Sequence, residues 1–407
     1  MGTMRNFSTY LSEARWATED KLTHLEHPED HLVKSGEPGF HHAFKSLKAT
    51  ADFLQGLESG ARVMTKYDGA PSVVFGHNPE NGRFFVASKS AWNKNPKLNY
   101  SPADIKANHG HAPGLQSKLN AALEHLPKVA PKKGVYQGDF LYNKADGDVQ
   151  EDDKNYHFRP QLIGFTAAKK SEQGKQIAVS QIGFAVHTGY KGNSIEGLKA
   201  DYTPDLSGFK PNKDVHLHTW DNSFNPDKVK YTPEEHEDFK SFMNAAGDMF
   251  KNSDRLKLFG ASSNPTMQDH LTTYMNKTIR TGDTPSLAGL KQHVTDRHNK
   301  NIDAVKTEKT KEEKRRNLEQ DLQYIDKNEQ NIKNMLKMQN QVQRAKNVLV
   351  SALNRGDITG YKYDINGNPT NSEGFVTVVD GRPTKLVDRS EFSRLNQLHG
   401  KFQKAAK

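Results

Sequence analysis

Apolar and polar residues follow two different rhythms along this chain. From about residue 61 to 187, and again from 358 to 387, apolar residues come in short runs punctuated by Gly, Pro, Asn and Asp. That is the pattern of strands joined by turns. It predicts strands at Ala61–Met64, Val73–Phe75, Gly82–Lys89 (after an Asn81-Gly82 turn) and Gly134–Tyr142. Others are expected at Phe158–Ala168, Gln176–His187, Ile358–Tyr363, Glu373–Val379 and Thr384–Val387. Between 232 and 355 the rhythm is helical. Thr232-Pro233-Glu234-Glu235 offers a capping hydroxyl, a proline in the first turn and acids at the positive end of the dipole. Farther on, Leu318, Leu322, Ile325, Ile332 and Leu336 recur at helical spacing, with Glu329, Gln339 and Gln343 taking later seam positions. Interrupted in this way, the seam predicts a long surface helix or an antiparallel pair rather than a coiled coil. Shorter helices are expected at 4–20 (Phe7, Tyr10, Leu11, Trp16), 115–126 and 390–402. One at 44–57 (Phe44, Leu47, Phe53, Leu54) is expected to pack on the sheet that presents Lys66.

The order of these segments predicts an α+β protein. Residues 1–190 and 356–407 read as two parts of one domain, 191–230 as linker and loops, and 231–355 as a helical insertion. With 407 residues, the chain has room for two or three domains. It has no cysteine, which excludes disulfides and thiolate metal sites and fits a reducing compartment. No apolar window reaches membrane-spanning length, so a soluble, cytoplasmic protein without a membrane partner is expected. Lys and Arg exceed Asp and Glu by 58 to 49, a formal charge of +9 that suits a polyanionic partner. A basic run at Lys309, Lys311, Lys314, Arg315 and Arg316 would serve as a solvated face or as a nucleic-acid surface. A histidine-rich segment (His24, His27, His31, His41, His42) is broken by Pro28 and Pro38, so solvated or phosphate-facing histidines fit better than a metal site.

The richest chemistry lies in Thr65-Lys66-Tyr67-Asp68-Gly69-Ala70-Pro71-Ser72. A strand delivers a lysine into a tight turn, where Gly69 permits a close backbone approach and Pro71 stiffens the exit. Taken alone, this is also what an ordinary hairpin with a solvated lysine would look like. Lys66-Tyr67-Asp68-Gly69 resembles the first motif of the covalent nucleotidyltransferases, the ATP-dependent RNA and DNA ligases and mRNA capping enzymes. Val135–Tyr142 is similar to their third motif, Ser372-Glu373-Gly374-Phe375-Val376 to the fourth and Pro383–Val387 to the fifth. The opening Met4–Ala14 resembles that of many proteins of large tailed bacteriophages, which would place the protein in the host cytoplasm.

The resemblance implies a ligase-type nucleotidyltransferase fold, with antiparallel sheets flanking an ATP cleft. It also implies Mg²⁺ as cofactor and Lys66 as the residue that takes AMP from ATP. Lys385 would clamp the α-phosphate, Glu373 would organise the metal, and Asp139, where the family has a glutamate, would read the ribose or help the metal. Asp68 would bind ribose, orient Lys66 or simply cap the turn, Gly69 would contact nucleotide, Lys89 would supply a further cation or be a charged strand end, and Phe165 (or Phe184) would stack on adenine. The family's fifth motif is K-x-K, whereas Lys385 is followed by Leu386-Val387-Asp388, with Arg382 or Arg389 as replacement. The implied reaction seals a 5′-phosphate to a 3′-hydroxyl. Only about 20 residues follow Lys385, so no C-terminal OB-fold is expected and RNA, nicked or single-stranded, is favoured as substrate. A compact DNA ligase and a non-catalytic nucleic-acid-binding protein are the alternatives, and transfer to a small molecule or protein is also open.

Overall fold

The computed structural model describes residues 25–67, 69–219, 229, 231–254, 264–355 and 359–390. The expected helix at 4–20, and nearly all of the one at 390–402, lie outside these residues. The chain forms two compact units, one from residues 1–25, 60–229 and 353–383, the other from 26–59, 230–352 and 384–407.

The first unit is an α+β assembly built on mainly antiparallel sheets. Strands β1 (Arg62–Thr65), β2 (Ser72–His77), β3 (Phe84–Ala87) and β4 (Val135–Asn143) are followed by β5 (Val149–Glu151), β6 (Asn155–Phe158) and β7 (Gly164–Ala168). Then come β8 (Ile182–Lys191), β9 (Lys199–Asp201) and β10 (Val215–His218), and later β11 (Lys362–Ile365), β12 (Asn368–Thr370), β13 (Phe375–Val379) and β14 (Arg382–Leu386). The largest sheet runs β10-β8-β4-β2-β3, with β9 paired to β8; a second runs β12-β11-β7-β6-β5; the third is β1-β13-β14, where the chain passes from one unit to the other. The alternation in Val73-Val74-Phe75 explains why β2 lies inside the sheet, between β4 and β3. Val73 and Phe75 join one core with Phe140, Phe184 and residues of the helices Pro102–His109 and Pro113–His125. Val74 faces the opposite core with Phe85, Val135 and Tyr190. Each fully buried aromatic here contributes roughly 2–3 kcal/mol of burial, so the sheet is a rigid platform.

Three expectations need correction in this unit. Gln176–Val179 is helical, because Ser171 accepts from the Gly174 N–H (3.1 Å) and starts a helix at Glu172–Val179; β8 begins at Ile182. The single strand expected at 158–168 is the end of β6 plus β7, split around Arg159-Pro160, where proline removes a ladder donor. The stretch 191–230 is more than linker, since it holds β9 and β10, and β10 pairs parallel with β8. Its alternating Val215-His216-Leu217-His218 hides a buried strand behind polar composition.

The second unit is helical: α1 (Pro28–Leu54, kinked at Gly36), α2 (Pro233–Lys251), α3 (Pro265–Thr281), α4 (Leu287–Asp303), α5 (Glu308–Lys327) and most of α6 (Glu329–Arg355). Thr232 and Glu235 close a reciprocal capping box on α2. The seam of apolar residues at 318–336 is divided at Asn328 between α5 and α6. Residues 44–54 touch the sheet that carries Lys66, where the Thr384 hydroxyl of β14 donates to Ser46 Oγ at 3.4 Å. They belong to α1, where Phe40 stacks on Phe250 of α2 at 4.1 Å and meets Phe44 at a tilt at 4.2 Å. The histidines of α1 are not all solvated either: His31 is buried and meets His42 edge-on at 4.7 Å. Among the described residues no helix is long and apolar enough to cross a membrane.

Candidate active site

The site is built where the smallest sheet meets the turn expected to matter most. β1 runs antiparallel to β13 with Thr65 opposite Phe375. One residue farther, the Lys66 N–H donates to the Gly374 carbonyl at 2.8 Å, so Lys66 stands beside the entry to β13. Gly374 adopts φ 142°, a conformation that suits glycine and turns the chain at this point. Its neighbour Glu373 ion-pairs with the Lys66 ammonium through Oε2, across 307 residues of sequence. The two side chains retain 21% and 11% exposure, so a ligand can reach the pair.

The turn after Tyr67 is fastened to β4. The Ala70 N–H donates to the Phe140 carbonyl (2.8 Å), and the Phe140 N–H donates to Pro71 (3.1 Å). The Gln161 amide donates to the Gly69 carbonyl at 3.0 Å. A side chain at Gly69 would come within 2.6 Å of the Asp139 Cβ and of the Phe140 carbonyl oxygen. Glycine is therefore required there by the approach of β4.

That fastening brings Asp139 within reach of the Lys66 charge. Ser72 is its cross-strand partner, and His187 Nε2 of β8 stands 3.6 Å from its carboxylate. Burial pushes the Asp139 carboxyl up. The His187 and Ser72 contacts and the charge of Lys66 outweigh burial and hold it below the usual carboxylate range. Gln137 donates to Ser72 Oγ (2.8 Å), and Tyr190 donates to Gln137 (2.5 Å), which supports the acid from behind.

A second network holds the turn from the core side. The buried Tyr67 hydroxyl lies 3.2 Å from His218 Nδ1, and the Tyr361 hydroxyl lies 3.1 Å from His218 Nε2. Next to it, Tyr142 meets His216 Nδ1 at 3.1 Å. Burial keeps both histidines neutral, with His218 well below the imidazole range and His216 lowered to about 4.

The structure thus brings Lys66, Gly69, Asp139 and Glu373 together. Asp68 lies outside the described residues. Lys89 is exposed on the short 3₁₀ turn Lys89–Trp92 after β3. Phe165 is a correction: it is 3% exposed, stacks on Phe158 at 5.0 Å and packs against Tyr361 and Tyr363, so it is core rather than a base platform. Phe184 is fully buried between Phe75 and Phe140. Lys385 falls in the helical unit, its backbone N–H donating to Glu26 at 2.9 Å. Arg389 is not a spare cation, because its guanidinium is held by Glu29, Asp30 and Asn276. Sequence reasoning missed His187, Ser72 and Gln161. His187 was detectable as a polar interruption in the apolar run of β8, whereas the other two carry no sequence signal.

Residues 21–401 fit the profile of DUF6267, a family of unknown function. No curated protein and no solved structure matches the chain.

Proposed function

We propose a catalytic role for this chain, which belongs to DUF6267: it is a covalent nucleotidyltransferase that takes AMP from ATP onto Lys66 and passes it to a nucleic-acid 5′-phosphate. The observation that carries this reading is the accessible Lys66–Glu373 pair within electrostatic reach of Asp139. An amine ion-paired to one carboxylate and within the field of a second, the two contributed by different sheets, is costly to assemble as a mere surface feature. It suits a nucleophile that must be aimed.

A free lysine amine titrates near 10.4, so Lys66 needs help to attack at neutral pH. Glu373 favours its charged form, and engaging that carboxylate elsewhere would free the amine. Glu373 and Asp139 offer the oxygen donors that Mg²⁺ takes. Bound there, the ion would neutralise charge on the α-phosphate. The chain's own groups then act by position: the Gly374 carbonyl fixes the Lys66 backbone, and the Tyr67–His218 contact fixes the turn. In the first step the Lys66 Nζ–P bond forms and the bond to the pyrophosphate leaving group breaks, with the amine proton passing to solvent. In the second, a 5′-phosphate oxygen displaces Lys66. In the third, a 3′-hydroxyl displaces AMP and seals the strand. RNA is the acceptor we favour, and the formal +9 charge supports a polyanion in general.

The test is incubation with α-labelled ATP, GTP or labelled NAD⁺ and Mg²⁺, followed by a denaturing gel. Label from ATP that is absent in Lys66→Ala supports the reading. Label from GTP points to capping-type chemistry, and no label on folded protein favours a nucleic-acid-binding role without catalysis. Nicked duplex DNA and 5′-phosphorylated RNA, offered in turn, separate the two ligase readings.

A further inference from the structure

In the helical unit, three ligating side chains converge from three helices. His270 comes from α3, His298 from α4 and Asp321 from α5. The two imidazole Nε2 atoms stand 3.1 and 2.8 Å from the same Asp321 oxygen, Oδ2. All three donor atoms lie within 4.8 Å of one another. The side chains are 6%, 14% and 14% exposed, which makes this a sheltered cluster rather than a surface coincidence. We propose that His270, His298 and Asp321 form a transition-metal site that ties α3, α4 and α5 together.

A tetrahedral ion with bonds of about 2.0–2.1 Å has ligand-to-ligand edges of roughly 3.3 Å. The two histidine–aspartate spacings are near that value and the third lies within 4.8 Å, so side-chain rotations would close the three donors on one ion. Two imidazoles select Zn²⁺, Co²⁺ or Ni²⁺ over Mg²⁺ and Ca²⁺, and three protein ligands leave a fourth position for water. This site is separate from the Mg²⁺ chemistry proposed for Lys66 and does not depend on it.

One neighbour opposes binding. Arg297 Nη1 stands 3.2 Å from His270 Nδ1 and 2.8 Å from the Asp269 carboxylate. For Nε2 to take a metal, the ring proton must sit on Nδ1, and Arg297 must then turn towards Asp269. Removing the guanidinium should therefore tighten the site, a result that a purely hydrogen-bonded cluster would not give.

The experiment is calorimetric titration of the full chain with ZnCl₂, paired with visible spectra in CoCl₂. One Zn²⁺ site is expected that weakens at least about tenfold in His298→Gln and in Asp321→Asn. It should tighten several-fold in Arg297→Gln, which keeps all three ligands. Co²⁺ should give ligand-field bands in the wild type that His298→Gln removes. The chain carries 18 histidines, so zinc binding that survives both ligand substitutions lies elsewhere and overturns the proposal. So does a wild-type protein that binds no zinc, or one whose Co²⁺ spectrum is that of the aqueous ion.

Discussion

Each unit of this protein contains a lysine–glutamate pair joined across more than 300 residues, and the two differ in every respect that matters for function. Lys66 and Glu373 are partly open, with Asp139 and His187 at hand. Lys346 and Glu29 are fully buried, at 2.8 Å. Arg389 adds a second contact to Glu29 and one to Asp30. Burial pushes the Glu29 carboxyl up, and Lys346, His27 and Arg389 outweigh it, so the acid stays ionised inside the helical unit. A sealed pair can specify packing, whereas an open one can exchange its partner for a ligand. Burial and access, rather than residue type, separate a structural ion pair from a candidate catalytic one.

The comparison breaks most readily at Lys66. Lys66→Ala should abolish covalent nucleotide labelling, a loss of at least about 10³-fold, while costing roughly 1 kcal/mol or less in urea unfolding. Lys346→Met should do the reverse. It leaves a buried carboxylate under-compensated and should cost about 3–5 kcal/mol, with labelling per folded molecule unchanged. A Lys346→Met protein of wild-type stability would show that the sealed pair is not structural.

Acid titration sharpens the contrast inside the first unit. His216 is held at about 4 by burial, against 6.5 for the ordinary ring. As pH falls below 6.5 the unfolded chain takes the proton first, so stability drops between pH 6.5 and about 4, by on the order of 3 kcal/mol. His216→Gln should make the fall over that interval shallower in a stability–pH profile, leaving the share that His218 contributes. Asp139→Asn should slow labelling by about 10- to 100-fold without changing the nucleotide preference, measured as single-turnover rate. The smallest effect is expected at Phe165→Leu, about 1 kcal/mol of stability and no change in the KM for ATP; a large rise in KM would restore Phe165 as a base contact.

Much of the first unit was legible because its strands carry short apolar runs between turn residues, and because Lys66 and Glu373 flank strand ends while Asp139 interrupts the apolar run of β4. The α+β class followed from the change of rhythm at Thr232. What could not be read was pairing at long range. Glu29 lies in a segment that reads as solvated, Lys346 in a helix full of charges, and nothing local announces that they meet. β10 was hidden because its inward positions include His216 and His218, which a hydrophobic pattern scores as loop. The membership of α1 in the helical unit depends on Phe40 meeting Phe250, a contact across 210 residues that no local spacing encodes.

The most direct measurement is peptide mapping by mass spectrometry after incubation with ATP and Mg²⁺. The Lys66 peptide should carry the mass of one adenylate, acid-labile as a phosphoramidate is, and Lys346 should carry none. A folded protein whose Lys66 peptide remains unmodified under conditions that saturate ATP, or an adenylate on another lysine, would contradict the assignment.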